Sequence, residues 1–334
     1  MKALATIGAV GVALAAVTAH AESTIKIACY LPPFSISVTK ILKPFAASVG
    51  AETKGDVKFQ EYWGGTLGRN PEQQYKLVTG GIADIAFIST YTSGGQFPDS
   101  SITELPGLVK SSATGSPAYW NLYKAGLLRG HDDIKVVGLY MASVNLLHTK
   151  KPVQKIEDIR GMKLQSSGPL FADFVKNIGG TSVYMPATEL AQALASGVVD
   201  GTTVDWSGFV TFKLENLAYN HYEIPLGGIS FVIAMNQKTW DGLSAAGKAA
   251  IDKFGGLAMA QSGGRAYDEG GLERRNKIAE DKAHKFVEPS QAEQEAAISK
   301  YAEPIYRDWI AKTPDGQKKF DTFKKLLAEA SAGK

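Results

Sequence analysis

Strand-like and helix-like apolar periods alternate along the first third of the chain, and few folds accommodate that alternation. TIKIACYL (Thr24 to Leu31) has the pattern of a strand, and Ser37 to Thr53 has helical spacing. DVKFQEYW alternates as a strand. Asn70 to Gly81 reads as a capped helix ending in glycines, and Ile82 to Ser89 as a short buried strand. The order βαβαβ requires crossover helices, because parallel neighbours cannot be joined by a tight turn. It therefore predicts a parallel sheet covered by helices, an α/β fold.

The pattern resumes after a loop-and-helix stretch from Pro106 to Gly130. Ile134 to Ala142 is a strong strand that runs on through VNLLHT into a polar connector. A second unit follows: strand 162–165, helix 169–178, strand TSVYMP, helix TELAQALASG and strand VVDGTTV. A long helical region spans Ser244 to Lys285. Its three glycine pairs, at 255–256, 263–264 and 270–271, permit bends. Gln291 to Ala332 is helical and charged. Two α/β units joined by continuous strands predict two lobes connected by crossing segments, with a ligand cleft between them.

The first residues stand apart from this pattern. Met1-Lys2, the apolar run Ala3 to Thr18 and the A-x-A site Ala19-His20-Ala21 form a secretory signal peptide, with cleavage expected after Ala21. The remaining chain is expected to be exported. The 36 basic and 33 acidic residues are interspersed, which offers no footprint for nucleic acid or a membrane surface. Cys29 is the single cysteine, so no intrachain disulfide can form, and it reads as a buried strand residue. The five histidines show no close metal spacing, and neither metal nor cofactor is expected.

Catalytic motifs are almost missing. Ser37-Val38-Thr39-Lys40 fits SxxK and Ser143-Val144-Asn145 fits SxN, the partial pattern of a serine hydrolase, but no KTG strand follows. The simpler reading has Ser37 in a helix start and Lys40 in solvent. Asp132-Asp133 and Glu273 lie in charged, solvated stretches. The chain reads as a binding protein that catalyses nothing.

The stretch KKPVQKIEDIRGMKLQSSGPLFADFVKNIGGTSVYMPATELAQALASGVVDG resembles the DctP-type substrate-binding subunit of TRAP (tripartite ATP-independent periplasmic) transporters. Pro152, Asp158, Gly161, Lys163, Pro186, Glu189, Ala193, Leu194, Gly197, Asp200 and Gly201 carry the likeness. Leu67, Gly68, Gly81 and Asp84 add to it, with FPDSSITELPGL and FVIAMNQKTWDGL. The resemblance implies a two-lobed periplasmic binding protein with mixed sheets and a long helix spanning both lobes. Lobe I would be 22–142 plus 230–270, and lobe II 143–229 plus 271–334. It also implies a small organic acid as ligand, captured by lobe closure, and a TRAP membrane permease as partner.

One position departs from the family. Where its members carry a carboxylate-pairing arginine at a strand end, this chain has Gln165; Asn145 matches a second arginine of some members, and Val204 falls near an asparagine of some. A charge-assisted hydrogen bond contributes about 1.5–3 kcal/mol and a neutral one about 0.5–1.5, so the exchange costs roughly one to two powers of ten in carboxylate affinity. The N–H groups around Ser167 to Phe171, at a helix start, could still hold an anion. The expected contacts are Gln165, Asn145 and Ser166 for the polar end, Ser89 and Thr90 after the third strand, and Tyr30, Phe34, Tyr91, Trp206 and Phe231 for an apolar body. His148 reads as structural, and Asp205 as a lone carboxylate insufficient for a metal site. A monocarboxylate, aromatic or apolar, fits this set. A neutral polar solute such as a sugar is the alternative, and an SxxK hydrolase the other.

Overall fold

The computed structural model describes residues 23–93 and 95–333; the expected signal segment lies outside the described residues. Its eleven strands are β1 (Ser23–Cys29), β2 (Val57–Trp63), β3 (Ile85–Ser89), β4 (Ile134–Met141), β5 (Leu146–Thr149), β6 (Lys163–Ser166), β7 (Thr181–Tyr184), β8 (Gly201–Val204), β9 (Asn220–Tyr222), β10 (Ser230–Asn236) and β11 (Lys285–Val287). They form two mixed sheets covered by helices, the α/β class expected. The first has the order β2-β1-β3-β10-β4 and the second β11-β9-β5-β8-β6-β7. In the first sheet β1 is parallel to β2 and β3, while β10 enters antiparallel between β3 and β4.

Burial explains the central strands. All five residues of β3 and the first six of β10 are enclosed, as expected where helices cover both sheet faces. Cys29 ends β1 inside this core, where burial pushes its thiol up to about 12. Asp84 ties the sheet to its surroundings: its carboxylate accepts from Lys26 N–H and from the Thr239 hydroxyl.

The stretch 134–149 is two strands, not one. β4 ends at Met141 in the first sheet, and the chain crosses to β5 in the second. The return crossing, 223–229, pairs with it: Ala142 N–H donates to the Ile229 carbonyl, Asn145 N–H to Gly227, and Leu226 N–H to Asn145.

The long helical region expected over Ser244 to Lys285 is two helices followed by a strand, because the second helix ends at Ile278 and Lys285 begins β11. Gln237–Gly242, Ala245–Phe254 and Gly256–Ile278 are separate helices, with the second boundary at Gly255 and at Gly256, whose φ is +53°. A side chain on Gly255 would run into the Val137 carbonyl, so only glycine lets the turn sit on β4. The helix stays continuous through the other two glycine pairs, which serve close packing instead. Gly264 lies against the Ser112 carbonyl of helix Ser112–Lys124, and one turn later Asp268 accepts the Ser112 and Ala113 N–H groups. Gly264→Ala is expected to lose about 1–2 kcal/mol, overpacking outweighing the helix propensity gained, as a lowered urea midpoint at unchanged slope.

The C-terminal helix Gly316–Ser331 packs on Ser112–Lys124, the helix against β4. Buried Lys319 reaches Asp99 at 2.8 Å, and Trp309 Nε1–H donates to the Ser101 hydroxyl. The C-terminal helix is therefore tied to a helix of the first sheet.

Candidate functional site

A cavity opens where the two sheets face each other. The carboxyl end of β1 supplies Tyr30 and Leu31; the last residue of β3 and the turn after it supply Ser89 and Tyr91; the start of antiparallel β10 supplies Phe231. From the second sheet come Ser167 after β6, and Val204, Asp205 and Ser207 at the end of β8. Tyr267 enters from the long helix. Ligands of open α/β sheets sit beyond the strand carboxyl ends, and this cavity has that placement.

The aromatic wall is continuous. Phe231 stacks at 4.7 Å on Phe87, 5.5 Å from Tyr140 and 5.7 Å from Tyr267. The Tyr30 and Ser89 hydroxyls pair at 2.7 Å. Tyr91 reaches across to the Ala187 backbone and the Ser167 side chain, and burial pushes its phenol well up, so it stays a neutral donor.

Gln165 does not face the cavity. It is fully buried, and its amide is spent inside the protein: Nε2 donates to Ser167 Oγ at 3.1 Å and to the Met185 carbonyl at 3.0 Å, while Oε1 accepts from Thr202 at 2.6 Å. The residue that reaches the cavity is Ser167, which Gln165 holds.

Of the expected contacts, Ser89, Tyr91 and Phe231 line the cavity, as does Tyr30. Ser166 binds Ser182, Thr90 binds Ser230, and Asn145 donates to the Thr203 carbonyl in the crossing. Phe34 lies half-exposed outside. Trp206 turns into the second lobe's core, where its indole N–H donates to Glu223 and its ring meets His148, Phe209 and Phe286. Ser167 and Ser207 were missed by one residue, next to positions that were chosen. Tyr267 has no local signal, because only the packing of the long helix brings it in.

The helix start expected to hold an anion is already occupied. The buried Glu104 carboxyl packs on Gly168 and accepts the Leu170 N–H; burial pushes it up to about 8 despite that bond, so it is mostly protonated at neutral pH. Asp205 caps helix Trp206–Thr211, accepting from Ser207 N–H at 3.0 Å and Gly208 N–H at 3.1 Å. Ser37 is bonded to Tyr267 at 2.7 Å and approached by Tyr140, while Lys40 is exposed, so no lysine activates that serine.

Behind the site lies a row of buried histidines. His148 Nε2 lies 3.0 Å from the Val204 carbonyl and its Nδ1 2.8 Å from His221 Nδ1; His221 Nε2 lies 2.9 Å from His284 Nδ1. One set of neutral tautomers satisfies the row, each N–H donating toward Val204. Burial holds His148 down to about 4. A depressed folded value means the stabilisation is complete above the unfolded value of about 6.5 and is lost as pH falls toward 4. The urea midpoint is therefore expected to fall between pH 7 and pH 5, as read from unfolding curves at fixed ionic strength.

Two helix-covered sheets, chain crossings between them and an aromatic cavity in the cleft define a two-lobed solute-binding protein. Residues 28–313 match the family described as bacterial extracellular solute-binding protein, family 7 (DctP), and the chain belongs to that family of TRAP solute-binding proteins. The chain is similar to a solute-binding protein of Albidiferax ferrireducens, 28% identical over 184 residues; that match spans 54% of this chain and about half, 53%, of the relative. A TRAP solute-binding protein from Rhodoferax ferrireducens, solved with copurified benzoate, superposes with a TM-score of 0.88 at 24% identity, over 93% of this chain and 99% of that one. That likeness is one of fold. A marine metagenome TRAP protein from an unidentified microbe, described as specific for aromatic acid ligands and solved with 3-hydroxybenzoate, has a TM-score of 0.85 at 28% identity, over 93% and 99%. Among the described residues no helix is long and apolar enough to cross a membrane.

Proposed function

We propose that this protein captures an aromatic monocarboxylate between its lobes and delivers it to a TRAP membrane permease. The observation that carries the reading is the cavity itself. Tyr30, Tyr91, Phe231 and Tyr267 wall it, Ser167 and Ser207 supply hydroxyl donors, and no lysine or arginine is among its lining residues. Such a site suits a flat apolar body with one carboxylate and disfavours a diacid, which would bring a second charge without a counter-ion. The similar metagenome protein that binds aromatic acids supports the same class.

The lobes in this reading are the bodies built on the two sheets, with the C-terminal helix moving with the first. The protein works as an exported monomer, cleaved after Ala21, with Asn145, Gln165 and Trp206 shaping the walls from behind. It catalyses no reaction and uses no cofactor or metal. Calorimetric titration with benzoate, 3-hydroxybenzoate, succinate and glucose tests it. Micromolar or tighter binding of the aromatic acids alone is expected. Binding of only succinate, or only the sugar, would overturn it.

A further inference from the structure

We propose that Asp205 takes up a proton when an anionic ligand closes the cleft, and that the protonated side chain then donates a hydrogen bond to the ligand carboxylate in place of the strand-end arginine. The inference rests on the reading of the ligand as a carboxylate.

The geometry is a charge problem with one outlet. Asp205 is the only carboxyl among the cavity's lining residues, it is almost fully buried, and no cationic side chain shares the lining. Its oxygens accept the Ser207 and Gly208 N–H groups, which leaves acceptor capacity on the carboxylate of a residue that lines the cavity. A ligand carboxylate placed beside it creates two anions in one enclosed volume. Two carboxylates sharing such a site cannot both stay ionised, so the pair binds one proton from solvent and shares it through a charge-assisted hydrogen bond.

The surrounding groups leave that outlet open. From the long helix, Arg274 attracts Asp205, but its Nη1 is engaged with the Ser207 carbonyl and with Ser207 Oγ at 2.7 Å, and it is not among the lining residues. Tyr267 on the same helix, Tyr30 after β1 and Tyr91 after β3 are neutral phenols raised by burial. Glu104, near Tyr91, is itself held mostly protonated. Burial already holds Asp205 up to about 6 without a ligand, against the opposing pull of its N–H bonds and Arg274. Arg274 has a second consequence. By donating to Ser207 Oγ it leaves the Ser207 proton unengaged. One serine donor and one protonated carboxyl make a receptor for a single carboxylate.

The test is calorimetry of the mature chain with 3-hydroxybenzoate and with benzoate, at pH 7.5, in two buffers of different ionisation enthalpy. About one proton taken up per ligand is expected, with affinity weakening roughly tenfold per pH unit between pH 6.5 and 8. Asp205→Asn, which keeps both a cap acceptor and a donor, should bind with no proton uptake and a flat pH profile. Glu104→Gln should retain the uptake. If the wild-type chain binds without proton uptake, Arg274 or the hydroxyls balance the charge and the inference fails. It fails equally if Asp205→Asn still takes up the proton, or if Glu104→Gln abolishes it. Should Asp205→Asn not fold, the wild-type uptake and its persistence in Glu104→Gln decide. Binding of no aromatic carboxylate even at pH 5.5 would overturn the functional reading itself, and this inference with it.

Discussion

Asp99→Asn is expected to destabilise the fold by about 3–5 kcal/mol, because it strands a buried lysine. Asp99 is fully enclosed, and four donor groups from two residues converge on it. The Arg129 backbone N–H and Nε donate to Oδ2 at 3.0 and 2.8 Å, Arg129 Nη2 donates to Oδ1 at 2.6 Å, and Lys319 Nζ lies 2.8 Å from Oδ2. Arg129 is half-exposed and can turn to water, but Lys319 is only 4% exposed. The asparagine leaves that ammonium without a counter-ion in the seam where the C-terminal helix meets Ser112–Lys124. Lys319→Met removes the charge instead and should cost far less, since Arg129 still pairs with Asp99. The pH dependence follows the same logic. Burial pushes the Asp99 carboxyl up, but the bonds from Arg129 and Lys319 outweigh it and hold the group below the usual carboxylate range. Its contribution is therefore full above about pH 4 and lost as pH falls through the depressed folded value. Urea unfolding of both variants at pH 7 and pH 4 measures the contrast; equal midpoints for the two at pH 7 would contradict it.

Gln165→Met is expected to cost about 2–4 kcal/mol of stability and roughly tenfold in ligand affinity. The side chain is nearly isosteric, so the loss comes from hydrogen bonding alone. The Thr202 hydroxyl and the Met185 carbonyl lose their buried partner, at about 1–3 kcal/mol for each group left unpaired. The affinity loss has a different route: Ser167 loses the amide that holds its side chain at the cavity wall. Ser167→Ala separates the two effects. It should weaken binding by a similar factor with little change in the unfolding midpoint. If Gln165→Met left affinity untouched while Ser167→Ala reduced it, the orienting role of Gln165 would be refuted.

The strands that could be read in the sequence are those whose own residues set the burial pattern. The run Ile85 to Ser89 is apolar enough to be central in any context, and β1 and β2 alternate. β9 and β11 are three residues each and exist because they pair with each other and β9 with β5; no local period can announce a strand that short. The break at Gly255 and the continuity at Gly263 and Gly270 share one glycine-pair motif in sequence. They differ because Gly255 sits under the Val137 carbonyl while Gly263 and Gly264 lie against Tyr140 and Ser112. The site was legible as a set of strand ends, which is how Tyr30, Ser89, Tyr91 and Phe231 were found. It was not legible as side-chain directions. Gln165 and Ser167 are two apart and fall on the same face by alternation, which therefore gives no way to tell which of them lines the cavity.

The placement of β10 sets the order in which this chain can fold. β3 and β4 lie on either side of it and have no neighbour in common without it, yet it is made only after all but one strand of the second sheet. A nascent chain shorter than Asn236 would hold two half-sheets with unpaired inner edges, so the first lobe cannot be finished ahead of the second as a bead leaving a tunnel would be. Closing the sheet also waits on a loop of some ninety residues, from Met141 to Ser230, which places this chain among slow folders of high contact order. A polypeptide that stays open until its last third arrives remains threadable while it is being made, which is what passage across a membrane in extended form requires.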